Sequence, residues 1–98
     1  MKVLWTDAAV AQLAALHDYL AQASPEYARR MVDRLTKRSR QIAAFPFSGR
    51  TVREYELNEV REVIEGSYRI IYLIKEDEEQ VEVLTVIHSS REEIKPLE

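Results

Sequence analysis

The start of the chain carries a short apolar run followed by apolar residues at helical spacing. The run "KVLW" (2–5) is typical of a strand because bulky residues fill it. Thr6 then predicts a helix N-cap, with Asp7 in the first turn, where the helix dipole favours an anion. Four residues at helical spacing predict the buried stripe of this first helix: Val10, Leu13, Leu16 and Leu20.

A second helix is predicted to begin at Ser24-Pro25-Glu26, because Ser24 suits the N-cap and Pro25 suits the first helical position. Pro46 disfavours helix just before it, so this helix is expected to end near Ala44 or Phe45. Because the connection between the helices is short, we expect an antiparallel hairpin. The apolar stripe of the second helix consists of Ala28, Met31, Val32, Leu35 and Ile42.

Three strands are predicted late in the chain, over 60–65, 68–75 and 81–88, with Gly66-Ser67 as a two-residue turn between the first two. Strict alternation in the last strand places Val81, Val83, Thr85 and Ile87 on one face, and Glu82, Leu84, Val86 and His88 on the other. The order β-α-α-β-β-β predicts one α+β domain over residues 1–98. In it, the helix hairpin packs on one face of a small, mainly antiparallel sheet. The other face is expected to be partly open.

Loops and aromatic residues complete the predicted packing. The segment 51–57 is expected to be extended, and Phe45 and Phe47 are expected to anchor the loop after the second helix at the edge of the core. Four other aromatic residues are predicted to pack between helices and sheet rather than to stack on bases: Trp5, Tyr19, Tyr27 and Tyr72.

Charge is unevenly distributed along the chain. Residues 27–53 carry eight Lys or Arg and one acid, a net charge of +7 in a chain whose net charge is −3. This segregation indicates either a polar partner, such as an acidic protein segment or a phosphate backbone, or a solvated helix face balanced by acidic strand edges. The chain has no cysteine, which excludes disulfides and thiol nucleophiles and fits a cytoplasmic location.

Several classes of site are disfavoured by composition. Two glycines are too few for a phosphate-binding loop, and the two histidines, His17 and His88, lack metal-ligand spacing, so we expect neither a cofactor nor a metal. The late apolar run 70–74 is too short to span a bilayer, and polar residues interrupt the N-terminal segment, so no membrane association or signal peptide is expected.

The remaining chemistry lies in arginines around the strands. Arg69 shares a face of its strand with apolar residues, so we expect it at the rim of the open face. It either binds an anion such as phosphate or carboxylate, or pairs with Glu62 or Glu65 across the hairpin. His88 is either a general acid/base or a polar strand terminator. The arginines of this set are Arg50, Arg53, Arg61, Arg69 and Arg91.

The order of five segments resembles the RelE/ParE superfamily of bacterial type II toxins, and within it the ParE-like plasmid stabilization group. These segments are "LWTDAAVAQLAAL", "SPEYARRMVDRL", "FPFSGRTVREY", "REVIEGSYRIIYLI" and "VEVLTVIHSSR". The resemblance implies a toxin neutralised by a cognate ParD-like or RelB-like antitoxin, whose C-terminal segment wraps over the helix hairpin and sheet. ParE-like members poison DNA gyrase, whereas RelE-like members cleave mRNA on the ribosome without a metal.

The resemblance also assigns residues. Arg69 matches a strand arginine that RelE-like nucleases use to hold phosphate, Arg91 falls near their second functional arginine, and a related branch has a histidine near His88. The C-terminal tyrosine of those nucleases is missing, and "ELNEVREV" (56–63) is acidic where they carry lysines. A protein that holds RNA is expected to be basic. These departures favour the ParE-like branch and gyrase.

Three functions follow from the sequence: a gyrase-targeting toxin, a ribosome-dependent endoribonuclease, and a protein-interaction module without toxicity. The nuclease would use Arg61, Arg69, His88 and Arg91. In the gyrase-targeting toxin, six arginines are assigned to binding the antitoxin or the target: Arg30, Arg34, Arg38, Arg50, Arg53 and Arg69. We expect Arg69→Ala to weaken partner binding or toxicity and to leave the fold intact.

Overall fold

The computed structural model describes residues 1–90, which form two helices and a five-stranded sheet. The strands are β1 (Lys2–Trp5), β2 (Arg50–Thr51), β3 (Val60–Glu65), β4 (Tyr68–Lys75) and β5 (Gln80–His88), and the helices are α1 (Asp7–Ala21) and α2 (Pro25–Ala44). The sheet order is β1-β5-β4-β3-β2, with β1 parallel to β5 and the other pairs antiparallel. The predicted α+β fold is confirmed.

Both helices begin at the predicted caps. The Thr6 hydroxyl accepts the Ala9 N–H at 3.0 Å, and the Ser24 hydroxyl accepts the Tyr27 N–H at 3.2 Å. Each bond satisfies one of the N–H groups that a helix N-terminus leaves without a partner. The second helix ends at Ala44, as Pro46 predicts.

The main core lies between the helices and one face of the sheet. Leu35 and Ile42 from α2 are fully buried against Ile70 and Tyr72 of β4. The first helix contributes less, because Ala9 is its one fully buried residue, and Leu13, Leu16 and Leu20 are half-buried. Val10 was predicted in the buried stripe and is instead 52% exposed.

A bulge in β5 overturns the predicted alternation of that strand. Ile71 pairs with Thr85 and Tyr72 pairs with Val83, so Leu84 is an extra residue opposite β4. Beyond the bulge, Val86 lies on the helix-covered face with Val81 and Val83, whereas Leu84 and Ile87 pack on the opposite face.

The face opposite the helices carries a second, smaller apolar cluster. Val52, Val60 and Ile71 are fully buried there, with Tyr55 and Leu73 packed against them. The chain is extended only at 50–51 and then turns, so the prediction of an extended 51–57 was wrong beyond Thr51. This turn covers part of the face that the sequence left open.

Four aromatic predictions were wrong. Phe45 is 72% exposed, Tyr19 is 71% exposed and Tyr27 is also exposed, so none of them packs in the core. Phe47 is exposed as well, and its ring lies 5.1 Å from the Arg61 guanidinium, so it contacts a cation rather than the core. Tyr72 does pack between helices and sheet, and its hydroxyl donates to the Pro46 carbonyl at 2.6 Å.

The two glycines lie at a turn and at a close contact between chain segments. Gly66 has a φ of +60°, a conformation that glycine adopts without steric cost, and it closes the predicted turn between β3 and β4. Gly49 lies against the Tyr72 hydroxyl and the Glu62 carbonyl, so a Cβ at this position would collide with both.

Candidate functional site

A charged cleft of about 590 Å³ opens on the face of the sheet opposite the helices. It is built where β2, β3 and β4 meet, next to the turn that follows β2. The residues that line it are Arg50, Thr51, Arg53, Glu54, Glu62, Ile64, Arg69 and Ser89. Three arginines and two glutamates give the cleft a formal charge of +1.

A buried ion pair forms the floor of this cleft. Glu62 is 4% exposed and Arg69 is 8% exposed. In the β3–β4 register Arg69 faces Ile64, which places it diagonal to Glu62, and its Nε donates to Glu62 Oε2 at 3.1 Å. The Arg69 Nη2 donates to the same oxygen and lies 3.5 Å from Glu54 Oε1.

The environment of Arg69 favours its charged form. Burial alone would lower the pKa of the guanidinium, but the hydrogen bond and charge of Glu62, together with Glu54, outweigh burial and raise this pKa. Because Arg69 is buried, the prediction that it lies at an exposed rim was wrong. Of its two predicted partners across the hairpin, Glu62 makes the contact.

Arg50 and Arg53 supply the accessible positive charge of the cleft. The Arg50 Nε donates to Glu62 Oε1 at 2.7 Å, while its side chain stays 67% exposed. Arg53 is exposed and makes no hydrogen bond or ion pair with residues 1–90. These two side chains are the cationic groups that an anionic partner would meet first.

Arg61 holds the loop after α2 rather than lining the cleft. Its guanidinium donates to the carbonyl of Gly49 at 3.0 Å and to the carbonyl of Asn58 at 2.8 Å. It also donates to the Asn58 side chain at 2.6 Å. These contacts tie the two loops beside β3 together, which is a structural use of the guanidinium.

His88 lies on the other side of the sheet from Arg69. Its ring packs edge-on against Tyr68, with ring centroids 5.6 Å apart, and its Nδ1 accepts the Ser90 N–H at 3.2 Å. It borders a groove of about 570 Å³ beside α1, which Leu16, Tyr19 and Val86 also line. Arg91 lies outside the described residues.

The predicted arginines of α2 lie on its outward side. Arg34 donates to Glu65 Oε2 at 2.7 Å from Nη2, and Arg38 approaches the other Glu65 oxygen at 3.9 Å. Arg30 lies over the Tyr27 ring, 6.0 Å from its centroid. The structure thus separates the predicted partner-binding arginines into two groups, one in the cleft and one on α2.

Sequence reasoning missed two features of this surface. Glu54 belongs to the buried ion cluster, but it comes from an irregular turn whose path no local pattern indicates. The groove beside α1 was also missed. Its signal was present in the alanine-rich composition of that helix, which has few polar residues to face the solvent.

Residues 1–90 contain no group of three or more His, Asp or Glu residues placed to hold a metal ion. Within the same range, neither helix has the length and apolarity needed to cross a membrane.

Comparison with known proteins places the chain in a family. Residues 3–93 match the family described as the ParE toxin of the type II toxin–antitoxin system parDE. Toxin RelE2 of Caulobacter vibrioides is 33% identical over 94 residues, covering 92% of this chain and 97% of that protein.

Two solved structures share the fold. The chromosomal ParDE toxin–antitoxin system from P. aeruginosa contains a chain with a TM-score of 0.72 and 23% identity, covering 90% of this chain and 95% of that chain. The toxin–antitoxin complex RelBE2 from Mycobacterium tuberculosis contains a chain with a TM-score of 0.59 and 25% identity, covering 89% of this chain and 88% of that chain. The charged cleft and the apolar groove therefore belong to a member of the ParE toxin family, within the RelE/ParE superfamily of type II toxins.

Proposed function

We propose that this protein is a ParE-like toxin that inhibits DNA gyrase and is neutralised by a cognate antitoxin. The observation that carries the choice of gyrase is the separation of the residues a nuclease would need. Arg69 lies on the open face, His88 lies on the helix-covered face, and Arg61 binds loop carbonyls. A phosphate group therefore cannot contact all three of these side chains at once.

The ion pair adds a second argument against phosphate binding at Arg69. A phosphate would have to displace Glu62, which is buried and shared between Arg50 and Arg69. Leaving a buried carboxylate without its partner is costly, and breaking such a pair typically costs about 3 to 5 kcal/mol. The cleft thus suits contact at its rim, through Arg50 and Arg53, better than catalysis at its floor.

Support for the antitoxin comes from the relatives and from the surface. Both solved structures are of toxin–antitoxin systems, one named ParDE and one RelBE2. This chain offers an apolar groove beside α1, lined by Leu16, Tyr19 and Val86, which suits an apolar protein segment. We assign this groove and the rim arginines of the cleft to a ParD-like or RelB-like antitoxin.

The first experiment separates gyrase from translation as the target. Expression of the protein is induced in a bacterial host, and growth is measured with and without co-expression of a candidate antitoxin from a neighbouring reading frame. Purified protein is then tested for inhibition of DNA supercoiling by gyrase, and mRNA from induced cells is mapped for cleavage. We expect growth arrest that the antitoxin relieves, blocked supercoiling and intact mRNA.

The opposite result has a definite meaning. Cleaved mRNA with unimpaired gyrase would overturn the proposal and indicate the ribosome as the target. This alternative is tested because the chain is 33% identical to Toxin RelE2. Harmless expression without an antitoxin would instead indicate an interaction module. His88→Ala serves as the matched variant, because loss of toxicity in this folded protein would point to acid/base catalysis.

Arg53→Ala is the cleanest probe of partner contact. Arg53 is exposed and has no partner among residues 1–90, so its removal leaves the fold undisturbed, whereas Arg69→Ala would strip the buried Glu62 of a partner. We expect Arg53→Ala to weaken antitoxin binding with an unchanged melting temperature. Lys2→Ala, at an exposed position in β1, is the control.

A further inference from the structure

The outward face of α2 is a positive surface that the cleft and the groove do not include. Between residues 27 and 44 the helix carries six cationic side chains and one acid, Asp33. Five of the cations are exposed and Arg38 is half-buried. We call this surface the α2 basic face, formed by Arg29, Arg30, Arg34, Lys37, Arg38 and Arg40.

Four of these six cations form no ion pair within the described part of the chain. Arg34 and Arg38 pair with Glu65, and Arg30 lies over the Tyr27 ring. Arg29, Lys37 and Arg40 make no hydrogen bond or ion pair with residues 1–90. These free cations flank the paired ones, so the face keeps a net positive charge along its length.

The spacing of the cations suits a regular row of negative charges. At a rise of 1.5 Å per residue, the stretch from 29 to 40 extends about 16 Å. Residues 30, 34 and 38 form one row of cations at i, i+4 spacing, and the neighbouring row holds Arg29 and Lys37 with Asp33 between them. Double-stranded DNA carries one negative charge per about 1.7 Å of its axis, so the face can meet several phosphates at once.

The composition of the face favours a phosphate backbone over a protein. Tyr27 is its one large exposed apolar side chain, whereas a protein interface normally has an apolar centre. Apolar side chains gather elsewhere in this molecule, at the groove beside α1 that Leu16, Tyr19 and Val86 line. Five of the six cations are arginines, whose planar guanidinium binds phosphate oxygens in pairs.

We propose that the α2 basic face binds the phosphate backbone of duplex DNA, without reading base sequence. The choice of DNA over RNA rests on the proposed function, because gyrase acts on duplex DNA. Toxin bound to gyrase would then also contact the DNA that the enzyme holds. Base reading is not part of the proposal, because one exposed tyrosine beside the row of cations does not make a stacking platform.

The test uses purified full-length protein and a fluorescently labelled 20-base-pair DNA duplex, with anisotropy measured between 50 and 200 mM salt. We expect weak binding, with a dissociation constant of about 10⁻⁴ to 10⁻⁶ M that rises linearly with salt on logarithmic axes. Arg29→Gln/Lys37→Gln removes two free cations and should lower the salt slope by about 2. Lys2→Gln/Lys75→Gln removes the same charge at exposed or half-exposed positions outside α2 and should leave the slope unchanged.

Four results would overturn the proposal. The first two are no DNA binding at 50 mM salt and an equal decrease of the salt slope in the control variant. The other two are tighter binding to duplex RNA of the same length, and loss of antitoxin binding by Arg29→Gln/Lys37→Gln with unchanged DNA binding. The last would assign the face to an acidic protein segment. The assay contains no gyrase, so its outcome is independent of the supercoiling experiment. A protein that inhibits gyrase and fails to bind DNA would keep the proposed function and lose this inference.

Discussion

The two helices of the hairpin contribute to one core but present opposite surfaces to solvent. The exposed side chains of α1 include Val10 and Tyr19, and its only two charged residues are acids, Asp7 and Asp18. The outer side of α2 carries arginines, while Leu35 and Ile42 on its inner side are fully buried. The second helix is thus amphipathic in the usual sense, whereas the first exposes apolar residues as well as its two acids.

This contrast extends to how each helix is attached to the sheet. The first helix uses a neutral contact, in which the Gln12 side-chain oxygen accepts the Thr85 hydroxyl at 2.7 Å and the Val86 N–H at 2.9 Å. The second uses charge, through Arg34 and Glu65. An exposed apolar surface on a soluble helix indicates a covering partner, whereas an exposed charged one is stable in water without it.

The largest expected effect separates the inner side of α2 from the outer side of α1. Leu35→Ala should lower the free energy of unfolding by about 3 kcal/mol, because it removes fully buried methyl groups and leaves a cavity. Val10→Ala, at an exposed position, should change it by less than about 0.5 kcal/mol. Urea unfolding followed by circular dichroism measures both. Equal losses would mean that the outer side of α1 belongs to the core.

A smaller effect is expected where α1 meets β5. Gln12→Ala should cost about 1 to 2 kcal/mol, because the Val86 N–H and the Thr85 hydroxyl both lose their acceptor at a partly buried position. Hydrogen exchange should show faster exchange of the Val86 amide. Because the contact is uncharged, the cost should be the same in low and high salt, and a salt-dependent cost would contradict this account.

The end of α2 should respond to alkaline pH through Tyr72. Burial raises the pKa of the Tyr72 hydroxyl above its ordinary value near 10, in spite of opposing contributions from Gly49 and Arg61. The folded protein therefore keeps this proton after the unfolded chain has lost it. The stabilisation is complete below the unfolded pKa and is lost as pH rises through the folded pKa.

Tyr72→Phe should reduce this alkaline loss and cost about 1 kcal/mol at pH 7, because the hydrogen bond to the Pro46 carbonyl disappears. Unfolding measured from pH 8 to 11 tests the difference in slope. Burial raises the pKa of Tyr68 as well, so the slope should decrease without vanishing. An unchanged slope in the variant would contradict the assignment to Tyr72.

The smallest effect concerns the ionic attachment of α2. Glu65→Gln should cost less than about 1 kcal/mol, since Arg34 is half-exposed and exposed ion pairs contribute little. The cost should shrink further in 0.5 M salt. Thermal unfolding in low and high salt measures both values. A larger, salt-independent loss would place this pair among the core contacts.

The helices and the β3–β4 turn could be predicted because their signals are local. Ser24 and Pro25 act within one turn of helix, and Gly66 acts within its own turn. The exposure of Val10 and Tyr19 could not be predicted from spacing. In this alanine-rich helix Asp7 and Asp18 are its only charged residues and orient the apolar residues weakly, so several stripes fit the pattern.

The candidate site was predictable in its residues but not in their contacts. Arg69 and Glu62 were paired as one alternative, and the structure selects it because Glu65 lies on the other face and binds Arg34. The use of Arg61 could not be foreseen, since its acceptors are backbone carbonyls of loops whose path depends on tertiary packing. Burial of Arg69 likewise depends on the turn that carries Glu54.

The extra residue at Leu84 has a consequence for how this fold can acquire chemistry. Because side chains alternate along a strand, pairing of β5 with β4 without this bulge would place every side chain after Leu84 on the opposite face. His88 would then leave Tyr68 and lie on the face that carries Arg69. Loss of this one bulge could thus bring a proton-transfer group to the face of the arginine cleft, so the pairing of one strand separates a binding surface from a surface with catalytic groups.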